Sequence, residues 1–248
     1  MSRSRPKENK NIRELFYLHE GNLIHKWDHY LDIYNDFFSE YRNKEIILVE
    51  FGVSHGGSLQ LWREYFGKKA HIIGIDINPE CKQFESKNTE IIIGDQDDSK
   101  FLKRLSEVIK SADIIIDDGG HTTTQQIKTF NSMFPIVKEG GIYLVEDLHT
   151  NYWKEYGGGY LSKTTFIYMT KTLIDQLYAR YSRDDKLKID YYTENVKAIH
   201  FFDSIIVVEK KKIKEPFHVR RGEPMLRNEV YVPDSKEHID PWSEKSRV

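Results

Sequence analysis

Between Glu45 and Val145 the chain repeats one pattern five times: a short aliphatic run that stops at an acidic residue or a glycine. The runs are Ile46–Phe51, His71–Ile75, Glu90–Ile93, Asp113–Ile116 and Gly141–Val145. They are too short for buried helices and show little polar alternation, so they suit strands covered on both faces, as in a parallel sheet. Helical spacing fills the gaps at Gly57–Phe66, Ser99–Ile109 and Thr123–Val137. Repeated strand–helix units imply right-handed crossovers and a doubly wound, mostly parallel α/β sheet; in a sheet of order 3-2-1-4-5 the fourth and fifth of these strands are neighbours. An amphipathic helix is expected ahead of them over Asp28–Tyr41, with Tyr30, Ile33, Tyr34, Phe37 and Phe38 on one face. Beyond the glycine-rich loop Gly157–Gly159 the spacing predicts a long helix over Leu161–Tyr181. Two strand candidates follow, Leu187–Thr193 and Ile199–Glu209, with a turn at Glu194–Lys197. Paired as a hairpin, they bring the sheet to seven strands with an antiparallel last strand.

Composition narrows the function classes. Lys and Arg number 37 against 39 Asp and Glu, a formal charge of −2, whereas a dedicated nucleic-acid binder carries a strong basic excess. A single cysteine, Cys81, excludes an intrachain disulfide and suits a reducing compartment. The basic start leads into no apolar run, so no secretory leader is expected, and no run is long enough to span a bilayer. The expectation is a cytoplasmic protein with no membrane span. It would comprise a disordered 1–10, one domain over 11–210 and a polar, proline-bearing extension over 211–248.

Ligands of such sheets bind outside the carboxyl ends of the strands. The first of these ends is the turn Glu50-Phe51-Gly52-Val53-Ser54-His55-Gly56-Gly57-Ser58, where glycines let the backbone approach a ligand and a helix N-terminus offers free amides. It lacks the Gly-x-Gly-x-x-Gly of dinucleotide dehydrogenases. Its acidic-first arrangement, Glu50-x-Gly52-x-Ser54-x-Gly56, resembles motif I of class I methyltransferases. That resemblance implies a Rossmann-like fold with added N-terminal helices, and S-adenosylmethionine held by Glu50, Gly52, Ser54, Gly56 and Ser58. Asp76, ending the second strand, suits the ribose hydroxyls; Asp95 and Gln96, ending the third, fall where that fold places an adenine contact. Asp117 is grouped with these cofactor residues, and its plainer reading is a hydrogen-bond acceptor at a strand end.

The next two strand ends carry Asp118 and the pair Glu146-Asp147, with His121 three residues past the first. Gathered carboxylates repel one another and lose hydration, so a cluster of them calls for a compensating cation or a proton-transfer role. Hard oxygen donors without cysteine favour Mg²⁺, Mn²⁺ or Ca²⁺ over zinc. Histidine is the usual residue for removing a proton, so His121 suits a general base; its plainer role is to start the helix that Thr122–Thr124 cap.

Asp118-Gly119-Gly120-His121 and Glu146-Asp147-Leu148-His149-Thr150-Asn151-Tyr152-Trp153 resemble the metal-dependent sugar O-methyltransferases of macrolide biosynthesis, the mycinamicin and tylosin type, over roughly Lys26 to Trp153. Gly120 stands where relatives often carry Ser, and the extra N-terminal domain of some macrolide enzymes lies outside the resemblance, so their specificity and assembly are not implied. The resemblance implies that Asp118, Glu146 and Asp147 hold Mg²⁺ (or Mn²⁺) and that His121 is the base. His149, Tyr152 and Trp153 are the substrate-side candidates, and the loop at Gly157–Gly159 is a candidate lid. The expected activity is methylation of a sugar hydroxyl on a nucleotide-linked sugar or surface-polysaccharide precursor, with a glycosylated natural product as the alternative acceptor. The partner is therefore a small-molecule sugar, and homo-oligomerisation is left open. A competing class is an Fe(II) hydroxylase of the cephalosporin hydroxylase type, with His121, Asp118 and His149 as a two-His-one-carboxylate triad. A third is a non-catalytic binding module.

Overall fold

A computed structural model describes residues 10–219 and 221–222. Its first compact unit runs to Lys214; of the second, 215–248, the described residues form neither helix nor strand. The expected disorder of 1–10 and most of the 211–248 extension lie outside the described residues, although Lys10 is described and is buried.

Seven strands form one sheet: β1 (Ile47–Phe51), β2 (His71–Asp76), β3 (Thr89–Ile93), β4 (Ala112–Asp117), β5 (Val137–Val145), β6 (Val196–Phe201) and β7 (Ile206–Lys210). Their order is β3-β2-β1-β4-β5-β7-β6, parallel except for β7, which runs antiparallel to both neighbours. Successive side chains on a strand face opposite ways. Leu48, Ile72, Ile114, Ile116, Ile142 and Leu144 therefore meet α1 (Ile12–Tyr17), α2 (Tyr30–Phe38) and α3 (Gly57–Phe66) on one face. Val49, Ile73, Ile75, Ile115, Tyr143 and Val145 meet α4 (Ser99–Ile109), α5 (Thr123–Met133) and α6 (Phe166–Tyr178) on the other. A short α7 (Tyr191–Asn195) precedes the last hairpin. No described helix is long and apolar enough to cross a membrane.

The aliphatic runs became the strands expected of them; the elements around them differ. Helix α2 starts later than Asp28 and ends in a 3-10 turn, Ser39–Tyr41. Pro135 forces α5 to end at Met133 and continue as a 3-10 turn. Thr165 caps α6, accepting from the amide of Tyr168, so Leu161–Thr165 stay outside the helix. Leu187–Thr193 is not a strand. Asp190 accepts from the amides of Tyr192 and Thr193, a capping box that turns the apparent strand into the entry of α7. Nor is Ile199–Glu209 one strand: Phe202 donates to the Ile205 carbonyl, and Ser204 takes a left-handed φ of 63°, folding it into the β6–β7 hairpin.

At the carboxyl edge the ladder runs one residue past the strands. Gly52 donates to Ile75 O, Asp118 to Phe51 O, and Glu146 to Asp117 O, at 2.8, 3.0 and 3.0 Å. Strand alternation thus persists to the tips. Glu50, Asp76, Asp118 and Glu146 all fall on the α1–α3 face, and Asp117 falls on the other.

Candidate active site

The strand tips open into a cleft of about 600 Å³. Of the residues the sequence reading assigns to a cofactor, Gly52, Ser54, Ser58, Asp76, Asp95 and Gln96 line it, as do Asp118, His121 and Asp147. Glu50, Gly56, Asp117, Glu146, His149, Tyr152 and Trp153 do not.

Glu50 explains itself by its neighbours. It is fully buried, its carboxylate accepting from Ser58 Oγ at 2.8 Å and Trp62 Nε1 at 2.9 Å. Burial pushes it up to about 7. It stitches β1 to the start of α3 and so shapes the turn from behind. Asp76 supports the same turn from the front: one oxygen accepts from the amides of Val53 and Ser54 at 2.9 and 3.0 Å, the other from Asn78 N at 2.8 Å. Gly52 has φ +91°, and a Cβ there would lie 2.0 Å from the Asp118 carbonyl oxygen. The β1 and β4 tips can approach only because that atom is missing.

Asp117 joins two further tips. Gln96 Nε2 donates to its Oδ1 at 2.5 Å while Gln96 Oε1 accepts from Gly120 N at 3.1 Å, and the Tyr143 hydroxyl is 3.4 Å from Oδ2. Burial pushes the Asp117 carboxyl up to about 7. The folded protein therefore retains a proton that the unfolded chain loses near pH 4, and stability falls as pH rises between about 4 and 7. Asp117→Asn should remove this slope. Between pH 5 and 8 the wild type should lose about 3 kcal/mol relative to the variant in denaturant unfolding. A pH-independent gap would refute the assignment.

On the opposite face the acidic tips meet a cation from the N-terminal segment. Lys26, only 3% exposed, donates to Asp118 Oδ2 and, at 2.9 Å, to Glu146 Oε2. Burial alone lowers its ammonium, but Asp118, Glu146 and Glu50 more than reverse that, so it stays charged. Two tyrosines one turn apart on α2 address the adjacent acids. Tyr34 donates to Glu146 Oε1 at 2.5 Å and Tyr30 to Asp147 Oδ1 at 2.7 Å. Burial pushes both phenols up, which keeps them protonated donors.

Asp147 and His121 both have left-handed backbones, with φ 55° and 58°. Such strain in non-glycine residues persists only where the surroundings enforce it. Here Thr150 Oγ1 donates to both of their carbonyls, at 2.8 and 3.1 Å, and Asp147 N donates to Tyr30 Oη at 3.2 Å. The outcome is one compact group: His121 Nε2 lies 3.8 Å from Asp118 Oδ1 and 3.5 Å from Asp147 Oδ2, all three residues half-buried, with one ligand atom from each within 4.8 Å of the others. The two carboxylates, open to the cleft, fit a hard divalent ion that keeps positions for water or substrate oxygens, and the imidazole beside them is placed to exchange a proton. Glu146, the third expected ligand, is engaged by Lys26 and Tyr34 instead.

His149 lies outside this group. Its Nδ1 is 2.6 Å from Ser204 Oγ and 4.0 Å from Asp147, so the two-His-one-carboxylate triad is not assembled among the described residues. His149 instead forms an aromatic wall with Trp27 and Trp153, ring centroids 5.8 and 4.9 Å away, and both indoles are largely exposed. The glycine loop behind the wall is tied down, Gly158 N donating to Trp153 O and Gly159 N to Asn151 O.

Sequence reasoning missed the roles of Lys26, Tyr30 and Tyr34. Their signal was present: the α2 pattern places the tyrosines four apart on its inner face, and three acids of one strand parity demand a cation.

Residues 49–148 match the family described as Methyltransferase domain. The chain resembles a methyltransferase domain over these residues. It is 32% identical over 191 residues to the 8-demethyl-8-alpha-L-rhamnosyl tetracenomycin-C 2'-O-methyltransferase of Streptomyces olivaceus, covering 73% of this chain and 50% of that one. The Mycinamicin VI 2''-O-methyltransferase of Micromonospora griseorubida is 32% identical as well, over 73% of this chain and 48% of that one. Among solved structures, MycE methyltransferase from the mycinamycin pathway, in complex with Mg, SAH and Mycinamycin VI, superposes with a TM-score of 0.73 at 29% identity. That match covers 82% of this chain and 54% of MycE. The chain spans about half the length of the curated relatives it matches.

Proposed function

We propose that this chain is an S-adenosylmethionine- and Mg²⁺-dependent O-methyltransferase acting on a sugar hydroxyl. One observation carries the reading: a single cleft is continuous from Asp76 and Gln96, at the tips of β2 and β3, to the Asp118–His121–Asp147 group. A cofactor laid across the first three tips ends beside a group able to hold a cation and accept a proton. The relatives' names, sugar O-methyltransferases, and the Mg and SAH of MycE support the same assignment.

Asp118 and Asp147 would hold the ion, with Glu146 joining them where Lys26 yields. When bound, the ion supplies positive charge that eases deprotonation of an acceptor hydroxyl. His121 presents Nε2 to the cleft and takes that proton. With S-adenosylmethionine bound, the deprotonated oxygen would take the cofactor's methyl as the methyl–sulfur bond breaks and the neutral thioether leaves, and the strained backbones of His121 and Asp147 hold base and carboxylate in register for it. Leu23–Lys26 wall the cleft, and Trp27 and Trp153 offer ring faces to a sugar.

Within this class we favour a nucleotide-linked sugar or a surface-polysaccharide precursor as acceptor, with a glycosylated polyketide competing. Incubating the protein with labelled cofactor, Mg²⁺ and a panel of both acceptor types should give a methylated nucleotide-linked sugar; exclusive labelling of polyketide glycosides would overturn that preference. EDTA should lower turnover by at least about 100-fold, with full recovery on excess Mg²⁺. Turnover indifferent to EDTA would remove the metal from the mechanism.

A further inference from the structure

We propose that Lys26 is a built-in counter-ion that holds the metal site when no metal is bound, and that a divalent cation must displace it to bind. The inference rests on the metal-dependent reading above.

Lys26 Nζ bridges Asp118 Oδ2 and Glu146 Oε2, and its side chain is only 3% exposed. Asp118 is common to both arrangements. Its Oδ2 receives the ammonium, while its Oδ1 faces His121 Nε2 at 3.8 Å in the group that could hold the ion. An ion on that group would sit across one carboxylate from the ammonium, whose side chain is only 3% exposed, so solvent screens their repulsion only in part. The two cations therefore exclude one another. Removing Lys26 with nothing in exchange would leave Asp118 and Glu146 facing each other uncompensated, and Glu146 is fully buried. A divalent ion held by Asp118 and Asp147, with Glu146 turning to join them, would compensate the carboxylates that Lys26 leaves, so exchange replaces one compensating charge by another.

The carrier of Lys26 suits a local exchange. The segment between α1 and α2 is pinned at both ends: Asn22 N donates to Gln60 Oε1 at 2.9 Å, and Asp28 accepts from Arg13 Nη1 at 2.6 Å and from the Tyr17 hydroxyl at 2.5 Å. Between these anchors Leu23–Lys26 border the cleft and belong to no helix or strand. Lys26 can thus swing without unseating its flanks, and its departure alters the cleft wall. Metal binding then reshapes the place where the cofactor's reacting end would lie.

The test is Mn²⁺ titration of the full chain, read by electron paramagnetic resonance, beside amine-reactive labelling of Lys26 read by peptide mass spectrometry. Lys26→Met should bind Mn²⁺ at least about ten-fold more tightly than the wild type, because the competitor is gone. Its thermal midpoint should be lower without metal and rise further on adding Mg²⁺ than the wild type's. In the wild type, Lys26 should resist labelling without metal and become at least about ten-fold more reactive at saturating Mg²⁺. This second measurement decides the matter if the Met variant does not fold. Metal binding by the wild type with Lys26 still protected, or unchanged or weaker affinity in Lys26→Met, overturns the displacement and leaves the metal-dependent reading standing. No Mn²⁺ binding by either protein overturns both.

Discussion

His121→Asn should lower turnover by at least about 10³-fold while leaving cofactor affinity within about three-fold of wild type. Asn is the informative replacement because His121 sits at φ +58°, a conformation that Asn tolerates better than most residues. Loss of activity then reports the missing imidazole and not a collapsed turn. His121→Ala should lose as much activity and also some stability, since Ala has no side chain to favour that backbone. The imidazole's Nδ1 is buried without a hydrogen-bond partner among the described residues, and the strained backbone of His121 and its packing aim the ring. Binding by isothermal titration and single-turnover methyl transfer separate the two effects. An Asn variant retaining a tenth or more of wild-type turnover would dismiss His121 as the base.

Gly52→Ala should be among the most damaging single changes away from the chemistry, at about 3–4 kcal/mol of stability with cofactor affinity falling at least about 100-fold. Two costs combine. A Cβ at φ +91° is strained in itself, and here it would also meet the Asp118 carbonyl oxygen at 2.0 Å and its carbon at 2.7 Å. Those atoms are backbone and cannot rotate away, so the β1 and β4 tips must separate. That separation breaks the Asp118 N to Phe51 O bond that seats Asp118. Gly140→Ala is the control, with a similar φ of +83° and nothing within 4 Å of the added atom. It should cost only the backbone strain, about 1–2 kcal/mol. Equal losses at the two positions would show that close approach of the strand tips is not what Gly52 provides.

The two variants probe different layers of information. Aliphatic runs ending in acids or glycines were sufficient to give β1 to β5 as strands of a parallel sheet, because a strand buried on both faces has one local solution. The same cues misread the segment after Lys186. Ile189, Tyr191 and Tyr192 look strand-like, yet Asp190 offers its carboxylate to two following amides, and that short-range bond outweighs β propensity.

By itself, then, the sequence determined the doubly wound sheet, the glycine turn after β1, and the acids and histidine that gather at its carboxyl edge, since all of these follow from strand periodicity and chain connectivity. Tertiary structure alone decided which of those acids face the cleft. Glu50 and Glu146 are engaged from behind, by Trp62 and Ser58 and by Lys26 and Tyr34, whereas Asp118 and Asp147 give one oxygen each to Lys26 and Tyr30 and keep the other beside His121. The physical reason is burial: a carboxylate taken out of water must find a donor, and the donor comes from a helix or segment whose placement no local pattern encodes.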